Sequence, residues 1–226
     1  VAAQFCGVPC VKFQKRCPRE VLTPEEYAQP HSDPAHAYGP TYGAHREFLE
    51  LDVAQHRELK DCCEEVGIAY ACSVWDLRSA GKIAALNPWM IKIPSACNTH
   101  FELLGMLCAE FGGKLHLSLG MTRRDEIDGI VDFFRNAGRA QDLVLYHCVS
   151  GYPVRHDDVH LLEIARLRER YGADVGGIGY SGHHLGIALD VAAYALGATW
   201  FERHFTLDRT QKGTDHAASL EPDGLR

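Results

Sequence analysis

Short apolar runs alternate along this chain with longer segments in which apolar residues return every three or four positions. The short runs are Pro9–Gln14, Ile68–Cys72, Met90–Ile93, Leu115–Leu119, Leu143–Cys148, Gly176–Ser181 and Thr199–Phe205. Runs of this kind read as strands. Between them lie helix-period segments, among them Val53–Val66, Arg124–Ala137, Asp157–Tyr171 and the shorter Gly186–Leu196. Asp157 and Asp158 fall at the start of the third, where acidic side chains suit the positive end of a helix dipole. Strict βα alternation implies a parallel sheet, because parallel neighbours need a crossover and a helix supplies it. Most successive strands end roughly 20–35 residues apart, the pace of a (β/α)8 TIM barrel of about 250 residues.

Seven runs are one short of a closed barrel. The chain opens at Val1 on what reads as the end of a helix leading into the first run. The expectation is therefore one barrel domain over residues 1–226 that lacks its first strand. Arg226, shortly after Pro222, falls inside a helix start and reads as a cut end as well. The stretch Lys15–Glu47 is rich in Pro, His, Tyr and Gly. It reads as a surface loop over the barrel mouth, serving as a lid or a subunit contact.

Composition narrows the function classes. With 226 residues, 46% apolar and 23% charged, the chain can fill one α/β core or two small domains. No apolar run approaches the roughly 20 residues needed to cross a bilayer. A net charge of −7 argues against general nucleic-acid or anionic-membrane binding, though not against a small anion in a locally basic site. The nine cysteines are scattered, with no CxxC pair to suggest zinc or a redox dithiol. Several sit inside apolar runs, as buried thiols do. Reduced thiols in a cytoplasmic protein are the expectation.

In a barrel, side chains at the C-terminal strand ends converge on one mouth. Here those ends carry Lys12 and Gln14, Ser73, Lys92 and Ser95, Ser118, Ser150 and Tyr152, Ser181 and His183, and finally His204. Ammonium groups supply charge and hydroxyls supply hydrogen bonds, so the set suits a phosphorylated, carboxylated ligand. Taken singly, a capping serine or a surface lysine is the plainer reading. Recurrence at strand after strand carries the inference. His183 and His204 each stand just past an apolar run. On neighbouring parallel strands both imidazoles emerge at one sheet end and can share a metal ion. The plain alternative is a pair of packed core histidines. Asp215 and His216 follow on a loop punctuated by glycine.

Longer words sharpen this. VKFQKR at Val11–Arg16, AYGPTYGAHREFLEL at Ala37–Leu51, KIPSACNTH at Lys92–His100 and LSLGMT at Leu117–Thr122 come first. HCVSGYP at His147–Pro153, GYSGHHLGI at Gly179–Ile187 and the tail ERHFTLD with KGTDHAASLEP follow. In this order, over nearly the whole chain, they resemble the sialic acid (N-acetylneuraminate) synthases among the phosphoenolpyruvate-condensing barrel enzymes. The resemblance implies condensation of phosphoenolpyruvate with an open-chain N-acyl hexosamine, such as N-acetylmannosamine, to give a nine-carbon 2-keto acid and phosphate. It implies a phosphoenolpyruvate pocket of Lys12, Ser73, Lys92, Ser95, Ser118 and Ser181. Gln14 and Ser150 complete the substrate-binding set, and Tyr152 and Asp215 contact the acceptor sugar. Lys92, Tyr152 and Asp215 are the expected catalytic residues. His183 and His204 would hold a divalent ion, manganese first, with magnesium or cobalt as alternatives. The expected assembly is a homodimer.

Three departures stand out. The family's first strand carries a glutamate in an E-I-G-x-N-H-like word, which this sequence lacks. Bacterial synthases often read K-I-P-S-G-E where Ala96 and Cys97 follow Ser95 here, so a carboxylate near the sugar gives way to a thiol. Val149 stands where some members have Asn. The change at Cys97 leaves the acceptor open, including precursors of legionaminic or pseudaminic acids and of spore-coat sugars. Cys97 itself reads as a space-filling residue before a reactive one. The family's small C-terminal antifreeze-like domain, which lends an arginine to a partner's sugar site, has no counterpart in these residues. Two other readings stay open: a Schiff-base aldolase using Lys92, and a barrel that binds ligand without turnover.

Overall fold

The computed structural model describes residues 1–226. The seven apolar runs form seven strands: β1 (Cys10–Lys15), β2 (Ala69–Val74), β3 (Met90–Ile93), β4 (Lys114–Ser118), β5 (Leu143–Cys148), β6 (Gly177–Gly182) and β7 (Trp200–Arg203). They pair in chain order and every pair is parallel. Strands β3 and β5 are buried throughout, which is why they read as unbroken apolar runs rather than alternating ones.

No ladder joins β1 to β7, so this chain does not close an eight-stranded barrel. The sheet nonetheless curls until its edges face one another: Lys12 Nζ on β1 lies 3.6 Å from Glu202 Oε2 on β7. Cys6 Sγ, just after a short helix at Ala2–Phe5, reaches the carbonyl of Pro222 at 3.5 Å and ties the two ends of the chain together. One core of 35 buried residues runs through the sheet and its helices. No helix is long and apolar enough to cross a membrane.

Local chemistry sets the helix ends. Asp52 caps Val53–Val66 in a reciprocal box with Gln55, and Gly67 ends that helix at φ +74°. Asp76 accepts from the Ser79 amide to start Leu77–Ala84. Two expectations need correction. The segment expected to be helical from Asp157 makes a 3-10 turn at His156–Asp158 and becomes an α-helix only over Leu162–Tyr171. His147 Nε2 hydrogen-bonds the Val159 carbonyl at 2.7 Å, and His160 takes φ +48°, which together break the helix before it can include the two aspartates.

The stretch expected to be a loop, Lys15–Glu47, instead holds helices at Pro18–Val21 and Pro24–Ala28 and most of Tyr42–Leu49. Thr23 with Glu26, and Thr41, supply the caps. The placement is as expected in one respect, because this segment packs on the long connection after β7. Tyr38 Oη donates to the Lys212 carbonyl at 2.6 Å, and the Gly213 amide donates to His36 Nδ1 at 2.9 Å.

Candidate active site

Parallel pairing sets the polar residues in a stepped belt across the sheet. Gln14 stands opposite Ser73, Ser73 opposite Lys92, and Lys92 opposite His116. Ser118 stands opposite Tyr146, Cys148 opposite Ser181, and Ser181 opposite Glu202. Residues paired across parallel strands point to the same face, so the curled sheet turns this belt toward one interior.

The belt centres on Glu202, which sequence reasoning quoted within the word ERHFTLD but gave no role. Lys92 Nζ donates to its Oε1 at 2.8 Å, and Ser181 Oγ donates to the same oxygen at 2.9 Å. Lys12 Nζ donates to Ser73 Oγ at 2.9 Å and faces Oε2 of Glu202. Lys92 is 3% exposed, and its ammonium lies 5.0 Å from the Tyr146 ring centre. Burial lowers the Lys92 pKa, and the Glu202 carboxylate opposes that shift. Burial alone would raise Glu202, but the ammonium groups of Lys12 and Lys92 overcome it and hold the carboxyl well below its usual range. Two buried oxygens here have no hydrogen-bond partner: Ser118 Oγ and Glu202 Oε2. Buried polar atoms are seldom left unpaired, so the Ser118 hydroxyl has a hydrogen bond to give a ligand or water, while Glu202 Oε2 calls for a donor.

Beside this lies a second group. The Gly120 amide donates to Ser95 Oγ at 3.0 Å, and Ser95 Oγ lies 3.8 Å from Cys148 Sγ. A Cβ at Gly120 would come within 2.5 Å of Ser150 Oγ and 2.7 Å of Ser95 Oγ, so the absence of a side chain lets two hydroxyls close on the backbone.

The third group is aromatic. The His183 and His204 rings are 5.3 Å apart, and Tyr152 covers both at 4.2 and 5.8 Å. His183 Nδ1 pairs with the Val149 carbonyl at 3.1 Å, which leaves Nε2 as a free lone pair. Burial first, then His204, pushes the His183 pKa down to about 4, and burial lowers His204 too. Both are neutral near pH 7, the form that binds metals. Asp215 Oδ2 faces His204 Nδ1 at 3.9 Å, and the acid is more than half exposed. No third His, Cys, Asp or Glu joins the pair. Two neutral imidazoles suit a divalent ion, but they are one protein ligand fewer than a catalytic zinc site usually has, so an ion here would draw the rest from water and substrate.

The expected site residues thus gather, with one outlier. Gln14 is exposed and accepts from Trp75 Nε1 at 3.0 Å, on the rim. Cys97 is buried, its Sγ donates to the Trp75 carbonyl at 3.3 Å, and burial pushes its pKa up to about 11. A protonated, enclosed thiol fills space and is no nucleophile. All nine cysteines are free.

A curled sheet of seven parallel strands joined by helices defines a protein of the parallel α/β class, and the lysines, serines and paired imidazoles lie at the strand ends where such folds usually carry a site. Within that class the chain belongs to the NeuB family, whose model matches residues 1–226. It is 41% identical to the N-acetylneuraminate-9-phosphate synthase of Drosophila melanogaster, over 99% of this chain and 59% of that one. It is 33% identical to the N,N'-diacetyllegionaminic acid synthase of Campylobacter jejuni, over 97% of this chain and 65% of that one. The chain thus spans about 60% of the length of the curated relatives it matches. Among crystal structures it superposes on the N-acetylneuraminic acid synthetase of Leptospira borgpetersenii with a TM-score of 0.84 and 26% identity, covering 99% of this chain and 72% of that one. A DAHP synthase from Thermotoga maritima shares the fold, with a TM-score of 0.72 at 15% identity.

Proposed function

We propose that this chain is the barrel of a synthase that condenses phosphoenolpyruvate with an N-acyl hexosamine aldehyde, giving a nonulosonic acid and phosphate. The observation that carries this reading is the belt in which two lysines and three serines meet beside a neutral histidine pair. Lys12 and Lys92 would take the negative charge of phosphoenolpyruvate, with Ser73, Ser118 and Ser181 donating hydroxyls. Ser95 and Ser150, closed over Gly120, would bind a second edge of the same anion. Tyr152, tilted against His183, and Asp215, facing His204, would orient the acceptor so that its carbonyl carbon meets C3 of phosphoenolpyruvate. His183 and His204 would hold a divalent ion, manganese first, and such an ion polarises the aldehyde as a Lewis acid. Water then adds at C2 and phosphate leaves.

The relatives' names sharpen the acceptor. Phosphoenolpyruvate contributes the first three carbons of the product, so C6 of the sugar becomes C9. The named product of the Drosophila relative is a 9-phosphate, and 41% identity favours a 6-phosphorylated N-acetylmannosamine as this protein's acceptor. A second reading is a barrel that binds phosphoenolpyruvate without turnover; the open edges of β1 and β7 favour it for residues 1–226 taken alone and not for a longer protein that contains them.

The experiment is phosphate release from phosphoenolpyruvate by the full-length protein, with manganese and a panel of N-acyl hexosamines with and without a 6-phosphate. Sugar-dependent release that stops on chelation is expected, fastest with the 6-phosphate. Binding of phosphoenolpyruvate without release would select the second reading. Release that persists after chelation would remove the metal assignment.

A further inference from the structure

Glu202 is the anion among the cations of this pocket. It engages the groups assigned above to the substrate: Lys92 at 2.8 Å and Ser181 at 2.9 Å on Oε1, and Lys12 at 3.6 Å from Oε2. Lys92 makes no other ion pair, and a buried ammonium without a counter-charge is costly. The carboxylate therefore takes up the lysine contacts that an anionic group of the ligand would use. The free lone pairs of Oε2 point the same way, since an acceptor beside an incoming anion repels it unless a proton or water intervenes.

We propose that Glu202 is a positioning residue that competes with phosphoenolpyruvate, and with the departing phosphate, for Lys12 and Lys92. It holds both lysines before an anion arrives and takes them back as phosphate leaves, so that product release is an exchange of one anion for another. The inference rests on the reading of this belt as the phosphoenolpyruvate pocket. Two ammonium groups against one carboxylate leave a pocket of modest positive charge. Without the carboxylate, the same lysines hold an anion more tightly and release it more slowly. A full charge removed within a few ångströms of the ligand, at the effective dielectric of a partly buried site, changes affinity by at least about tenfold. A Glu202 that served only to aim the lysines gives the opposite sign, because its loss would scatter them and loosen the anion.

Calorimetry of the full-length protein with phosphoenolpyruvate, and separately with inorganic phosphate, tests this in the wild type, Glu202→Gln and Glu202→Asp. The Gln variant should bind both anions about tenfold tighter, with a lower kcat and stronger inhibition by added phosphate. The Asp variant keeps the charge on a side chain one methylene shorter, loosens the grip on Lys92, and should fall between. It carries the test if the Gln variant fails to fold. Unchanged or weaker anion binding in a folded variant overturns the proposal. Wild-type protein that binds neither anion would instead remove the reading of the pocket, and the role of Glu202 with it.

Discussion

His116 lies on β4 opposite Lys92 and is wholly buried. Its Nδ1 is 2.8 Å from Tyr146 Oη, its ring meets Trp200 edge-on at 4.8 Å, and Nε2 has no partner. Burial first, and the Lys92 ammonium next, push its pKa down to about 3. An unfolded histidine takes up a proton below about pH 6.5, while the folded ring refuses one until about 3. The folded state therefore binds fewer protons across that window. Its stability is complete above the unfolded value and falls as the pH drops towards 3. Between pH 7.5 and 4.5 the protonation of the unfolded chain at this one site costs about 3 kcal/mol. His116→Gln keeps a polar partner for Tyr146 and does not titrate. Urea unfolding of wild type and variant at both pH values isolates the effect, because the other buried histidines contribute equally to the two proteins. The wild type should lose about 3 kcal/mol more than the variant on acidification. An equal loss in both proteins would refute the reasoning, since it would mean that the folded ring accepts its proton as readily as the unfolded one.

Other expectations follow from single contacts. Lys92→Met should abolish phosphoenolpyruvate binding by calorimetry and lower stability by about 3–5 kcal/mol, because it strips the buried Glu202 of its closest partner. A variant that binds like the wild type would displace Lys92 from the pocket. Gly120→Ala should weaken phosphoenolpyruvate binding more than it lowers Tm, since the new methyl group drives apart Ser95 and Ser150 at the mouth rather than the core. An unaltered dissociation constant would take those two hydroxyls out of the site. Alkylation of the native protein with iodoacetamide at pH 8, read by mass spectrometry, should modify exposed Cys62 first and leave Cys97 intact. Early loss of Cys97 would restore a reactive role for it.

The strands were legible because a parallel sheet buried on both faces needs contiguous apolar residues. A lysine, serine or histidine at the end of such a run stands out for the same reason. Met90–Ile93 and Leu143–Cys148 were readable to the residue. The short helices within Lys15–Glu47 were not, since helices of four or five residues bury too little to impose a period. The local signs were the proline that opens each and the Thr23–Glu26 capping box of the second. The late start at Leu162 was hidden because it depends on a tertiary bond, His147 to the Val159 carbonyl.

Glu202 shows where reading along the chain stops. On a strand only four residues long, between Phe201 and Arg203, a glutamate is as consistent with a solvated edge as with a buried pocket. Its identity as the counter-anion comes from Lys12 at the other end of the chain and from Lys92 between them. Only the curl of the sheet brings β1 and β3 to β7. Side-chain type at a strand end reveals what charge a site can offer. Which charges cancel one another, and so how strongly the empty site attracts an anion, is a property of closure. On the proposed function, the balance between capturing phosphoenolpyruvate and releasing phosphate would rest on one contact, Lys92 to Glu202, which no local pattern encodes.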